Sequence, residues 1–152
     1  MTDPQGTANR EAAYFGVPWE EAYGYAQAVR SGHMLYISGQ LSHDEEGNFI
    51  APAPLDESGR ILDASNTEAQ MRASYNNAAK ILARFGATLD DVVEETIYAI
   101  DIDAAFAAAG PVRKAAYGTE RPKVASTLAG TTRLVIPHQL IEISMTAVLP
   151  AK

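Results

Sequence analysis

The chain is predicted to fold as an α+β sandwich, a mixed sheet with two helices segregated on one face. Three observations predict it. Two short strand-like runs meet at a turn inside Tyr25 to Gln40. Two helical stretches, Thr67 to Phe85 and Ala104 to Tyr117, flank a β-branched run that starts at Val92. The chain then closes on an alternating segment within Leu140 to Leu149. The order β-β-α-β-α-β, with room for a split late strand, is that of a mixed sheet covered on one side. At 152 residues, with 47% apolar and 20% charged residues, the composition is that of one globular domain with its own core.

Each element follows from local chemistry. The first hairpin turns at Ser31-Gly32, and its second strand ends in Ser38-Gly39-Gln40. A glycine directly after an apolar strand marks a bulge, a close approach to the backbone, or simply a strand end. Leu41 to Ser65 carries Gly47, Pro52, Pro54 and Gly59 and reads as a long irregular loop, functional or mobile. Phe49, Ile50, Leu55, Ile61 and Leu62 are the residues expected to pin it. In the helix from Thr67, residues Met71, Tyr75, Ala78, Leu82 and Phe85 line one face, and Gly86 supplies the left-handed stop. Thr88 to Asp91 is a cap-like turn into the Val92 to Ile100 strand. Pro111 must lie near the first turn of the second helix or kink it. Val124 to Leu134 reads as a strand bent at Gly130. In the last strand Ile141, Ile143, Met145, Ala147 and Leu149 face one way; Glu142, Ser144 and Thr146 face the other.

Composition excludes several function classes. Cysteine is absent, which removes disulfides, thiolate catalysis and cysteine-ligated metals. The net charge of −7, from 12 Lys+Arg against 19 Asp+Glu, disfavours a nucleic-acid partner. No apolar run approaches the roughly 18 residues that cross a bilayer, so no membrane partner is expected. The polar start, Met1 to Glu11, lacks the basic and apolar regions of a secretory signal. Residues 1–22 are expected to form an arm ahead of a single domain at 23–152, and the cytoplasm is the expected compartment. His33, His43 and His138 show no metal-ligand spacing, so no metal is expected and they read as structural or solvated.

The residues with chemical capacity are few. Glu142, on a strand with aliphatic neighbours, is either an exposed strand-face carboxylate or a partly desolvated proton-transfer group. Tyr25, Tyr36 and Ser38 bring hydroxyls to the hairpin. Arg121, before Pro122, is either a turn arginine or an anion-binding fork. Asp101 and Asp103 are placed to cap a helix.

Four ordered pieces together resemble a known family. They are Tyr25-Ala-Gln-Ala-Val with Leu35-Tyr-Ile-Ser-Gly-Gln, the helix around Asn76-Asn77 up to Gly86, Leu89-Asp-Asp-Val-Val-Glu-Glu-Thr, and Arg121-Pro122 with Ile141-Glu142-Ile143. Over about Tyr23 to Val148 the chain resembles the Rid family, also called YjgF-like or L-PSP endoribonuclease-like. The resemblance implies a chorismate-mutase-like α+β fold and a homotrimer with ligand clefts between subunits. In deaminating members, small enamines and imines are hydrolysed to keto acids with neither metal nor organic cofactor. Carried onto this sequence, it implies that Glu142 activates water, Tyr25 closes the cleft, and Ser38 with the Gly39 backbone binds a small-molecule metabolite. One departure stands out. Deaminating members carry a Pro-x-Arg-Ser pattern whose arginine holds the substrate carboxylate. Here Val124 takes that place counting from Pro122, and Ala125 takes it counting back from Ser126. An asparagine early in the second helix is also missing near Gly110-Pro111. Losing a charge-assisted contact costs on the order of 1.5–3 kcal/mol. Arg121 and Lys123 are the neighbours able to replace it. The expected function is therefore a divergent enzyme acting on small C=N or enol-type metabolites. The alternative is a non-catalytic, metabolite-sensing trimer. Ribonuclease activity, suggested by the older family name, is disfavoured by the charge.

Overall fold

The computed structural model describes residues 9–150. Its first strand, β1 (Arg10–Ala13), is followed by the short helix α1 (Pro18–Tyr23), the hairpin β2 (Ala28–Ser31) and β3 (Met34–Gln40), and helix α2 (Thr67–Ala83). Then come β4 (Val92–Ala99), α3 (Ile102–Tyr117), β5 (Ala125–Gly130) and β6 (Ile141–Val148). The sheet order is β1-β2-β3-β6-β4-β5, antiparallel except for the parallel β4–β5 pair. A mixed sheet covered by helices is thus the architecture the sequence predicts.

Helix α2 packs on β3 and β6, and α3 packs on α2 and β5. The core lies between the layers: Leu35, Ile37, Ile97, Ile141 and Ile143 from the sheet meet Met71, Tyr75, Ile81, Leu82 and Val112 from the helices. Burying each large apolar side chain contributes about 1.5–3 kcal/mol. The alternation of β6 is realised, with Ile141, Ile143, Met145 and Ala147 buried beneath the helices. The cap-like turn expected at Thr88 to Asp91 is realised as a capping box of Thr88 and Asp91 ahead of β4.

Several elements differ from expectation for identifiable reasons. The predicted arm, residues 1–22, falls partly outside the described residues. Its later part contributes β1, paired to β2, and α1, a third helix that starts at Pro18, where proline's missing N–H is harmless. The hairpin loop is Gly32-His33, one residue later than predicted, with Gly32 at φ 62° as a II′ turn favours. Helix α3 starts before Ala104, because the Asp101 carboxylate accepts the Ala104 N–H at 2.9 Å. Pro111 therefore lies inside the helix, which its buried neighbours Ala108, Ala109 and Val112 carry through. The late strand stops at Gly130 rather than Leu134, and residues 131–140 form a loop.

The segment between β3 and α2 is held partly by the apolar residues expected, with Ile61 packed against the core and Phe49 against His138, and largely by polar contacts. Ile50 and Leu62 stay exposed. Gln70, fully buried on α2, donates to the carbonyls of Ala51 and His138 and accepts the Leu140 N–H. Asn77 donates to the carbonyls of Leu41 and His43. Asp44 and Asp56 each organise a turn by accepting backbone N–H groups two and four residues on.

Candidate active site

The sheet departs from regularity at the end of β3, as it also does at the start of β4. Ile37 pairs with Met145 and Gln40 with Ile143, so β3 carries one residue more than β6 across this step. Such a bulge re-aims side chains. Here it places Gln40, rather than Gly39, on the helix face, fully buried. Gly39 is left on the opposite face, directly under Glu142. A Cβ built on Gly39 would stand 2.5 Å from Cδ, 2.6 Å from Cγ and 2.8 Å from Oε2 of Glu142. Glycine is required here for close approach, independent of backbone conformation.

Glu142 is half-buried. Burial raises its carboxyl above the usual glutamate value, and the Gln139 amide, 3.4 Å from Oε1, acts weakly the other way. Among the described residues Glu142 makes no ion pair.

Tyr25, Ser38, Gly39 and Glu142 line one cavity of about 420 Å³. Burial raises the Tyr25 phenol above its usual value; the Gln27 amide opposes this, and the charges of Glu20 and, more weakly, Glu142 add to it. The phenol oxygen accepts from Gln27, whose amide also donates to Glu20 and accepts from Gln40. Glu20 in turn accepts the N–H groups of Phe15 and Gly16 at 2.7 and 2.9 Å. A chain of buried polar groups therefore fixes the phenol. Ser38 donates its hydroxyl to the Ala26 carbonyl at 2.7 Å, so toward a ligand it offers lone pairs.

Arg121 and Val124 are not in this cavity. Glu142 pairs with Tyr98, which pairs with Ala129, whereas Ala125 pairs with Glu94 at the other end of the sheet. Within one chain, Val124 and Glu142 sit at opposite ends of two strands that β4 separates. Arg121 is exposed in the turn before β5, and Val124 packs against the core.

The sequence reading missed the rest of the lining. Trp19 and Tyr23 come from α1, at the junction of the expected arm and domain; Arg133, Leu134, Val135 and Ile136 come from the loop after β5, of which only Arg133 and Leu134 fall in the expected strand. The run Arg133-Leu-Val-Ile-Pro137 carried a usable signal, a cation and three apolar residues stopped by a proline. The Trp19 indole nitrogen is buried with no hydrogen-bond partner among the described residues. Two of the three histidines pack against aromatic rings, His43 edge-on to Phe15 and Trp19 and His138 to Phe49, and His33 is exposed in the hairpin loop.

A second polar cluster lies inside the core. Glu95, 1% exposed on β4, accepts from Tyr75, Tyr117, Ser126 and Arg113. Desolvation first, and then the Glu95 charge, raise both phenols far above their ordinary range. With every partner in place, the cluster ties α2, α3 and β5 to β4.

Comparison with known proteins places this architecture. The family model described as Endoribonuclease L-PSP matches residues 19–149. The chain is 32% identical over 123 residues to the mitochondrial protein mmf2 of Schizosaccharomyces pombe, covering 81% of this chain and 86% of that one. It is 30% identical over 82 residues to the RutC family protein YjgH of Escherichia coli, covering 54% of this chain and 52% of that one. The chain thus spans about half the length of that relative. Among solved structures, Rv2704 of Mycobacterium tuberculosis, titled a member of the YjgF/YER057c/UK114 family, superposes with a TM-score of 0.71 at 29% identity. That superposition covers 93% of this chain and all of the other. The matched span, the identity to mmf2 and the superposition agree: the chain belongs to the endoribonuclease L-PSP family, the YjgF/Rid group that its sequence resembles.

Proposed function

We propose that the protein hydrolyses small imines or enamines, with Glu142 as the proton-transfer group. The observation that carries this reading is the Glu142 carboxyl itself, half-buried, unpaired, raised in proton affinity and laid across the bare Cα of Gly39 inside a cavity. A carboxyl tuned in this way serves as base and acid in one cycle.

Glu142 as carboxylate takes a proton from water as the water oxygen bonds to the imine carbon. The C=N π pair moves to nitrogen, which receives that proton. The resulting carbinolamine collapses with its hydroxyl proton passing, again through Glu142, to nitrogen. The C–N bond breaks, the carbonyl forms and ammonia leaves. Protons balance over the cycle. Tyr25 is positioned to orient water or the nitrogen, and Ser38 to accept a hydrogen bond from the substrate.

The cleft is completed in this reading by a second copy, because Val124 and Arg121 reach a Glu142 only from a neighbouring subunit. A homotrimer is the proposed assembly and the cytoplasm the proposed compartment, although the relative mmf2 is named as mitochondrial. No helix among the described residues is long and apolar enough to cross a membrane.

The test is turnover of imines generated in situ by an amino-acid oxidase, with Glu142→Gln and Gly39→Ala as comparisons. Wild type is expected to accelerate loss of the imine. Both variants are expected to lose about a hundredfold or more, within the usual range for general acid–base catalysis. Equal inertness of all three over a broad imine panel, with ligand-dependent thermal stabilisation, would instead establish a metabolite sensor. RNA cleavage that disappears with Glu142→Gln would overturn both readings.

A further inference from the structure

The cavity of Glu142 also contains a charge of opposite sign. Arg133 is the one Lys or Arg among its lining residues. Among the described residues, the Arg133 side chain makes neither an ion pair nor a hydrogen bond. It does not meet Glu142, and it has no part in setting that carboxyl's proton affinity. A cationic residue and a carboxylic residue therefore line the same cavity without pairing with each other.

Topology explains the placement. Gly130, Ala99 and Ile141 are in register across β5, β4 and β6. The loop leaving β5 consequently starts beside the end of the sheet where Glu142 stands, and Arg133 follows within its first turn. The walls between the two charges are largely apolar: Trp19, Tyr23, Leu41, Leu134, Val135 and Ile136. The volume of about 420 Å³ falls in the range of roughly 300–1,000 Å³ typical of small-molecule sites.

We propose that Arg133 is the specificity-determining residue of this cavity, and that the substrate is a small anionic imine or enamine bearing an apolar or aromatic side chain. The proposal rests on the reading of Glu142 given above and adds the substrate class. A guanidinium recognises a carboxylate through a planar fork, which a lysine cannot reproduce. With the carboxylate on Arg133 and the C=N carbon over Glu142, the side chain lies against Trp19 and the Leu134–Ile136 wall. Anion recognition then comes from the chain's own β5–β6 loop. Neither Arg121 nor the strand start at Val124 is needed for it.

Calorimetric titration of phenylpyruvate, and of phenylacetone as its neutral counterpart, tests the proposal without requiring turnover. Wild type is expected to bind the anion about ten- to a hundredfold more tightly, the range of a charge-assisted contact. Arg133→Ala should abolish that preference, Arg133→Lys should keep part of it, and Glu142→Gln should keep it. Arg133 is exposed, so its variants should melt as wild type does. On the imine of phenylalanine, Arg133→Ala should raise KM far more than it lowers kcat. Equal binding of the two probes by wild type, or an anion preference that survives Arg133→Ala, would overturn the assignment. If no imine is turned over but the preference still depends on Arg133, the hydrolase reading fails and the anion site stands.

Discussion

The Glu142 carboxyl lies where a side chain on residue 39 would otherwise be, and its burial there has a thermodynamic consequence. Its folded-state pKa is raised above the ordinary 4.5. Below that ordinary value both the folded and unfolded states carry the proton, and the group takes nothing from stability. As pH rises from the ordinary value through the raised one, the unfolded chain releases its proton first and the folded state loses ground. Glu142→Gln cannot ionise. It is therefore expected to be more stable than wild type at pH 7.5, with the gap closing toward pH 4. Urea denaturation at the two pH values checks this. A gap independent of pH would mean the carboxyl is not desolvated. Ser38-Gly39 stood out in the sequence because the strand pattern breaks there, and Glu142 because it is a carboxylate on the polar face of an otherwise aliphatic alternating strand. The run from Arg133 to Pro137 signals only a cation beside an apolar stretch, and its place at the Glu142 cavity follows from the register of three strands.

At the scale of elements, periodicity carried the long pieces. Helix α2 and strand β6 were readable because one face of each is apolar at a fixed spacing. Glu95 shows the limit: it lies on the buried phase of β4, where local sequence says only that a carboxylate interrupts a β-branched run. Its four partners come from α2, α3 and β5. The long segment before α2 makes the same point, since its order depends on Gln70 and Asn77, polar residues on a helix read for its apolar stripe. Gln70→Ala leaves the Ala51 and His138 carbonyls and the Leu140 N–H without their partner. Unsatisfied buried groups of this kind cost about 1–3 kcal/mol each. A loss of about 3 kcal/mol is expected, with faster amide exchange at Leu140. A loss under about 1 kcal/mol would show that the loop is held by something else.

At the scale of the whole molecule, the sheet separates Val124 from Glu142 within one chain, and the proposed trimer would bring them together across a subunit interface. Native mass spectrometry is expected to give a trimer. Val124→Arg, remote from Glu142 in its own chain, is then expected to tighten binding of an anionic substrate by about tenfold through the subunit interface. A fully active monomer unaffected by Val124→Arg would eliminate the shared cleft. The Gln70 contacts have a temporal consequence as well. They join α2 to partners 68 and 70 positions later in the chain. During synthesis, α2 and the loop before it emerge long before His138 and Leu140 exist to receive them, and contacts so distant in sequence form slowly. The segment between β3 and α2 therefore reaches its final shape only when β6 docks. Its ordering marks the completion of folding, and pulse-labelled amides there are expected to gain protection last.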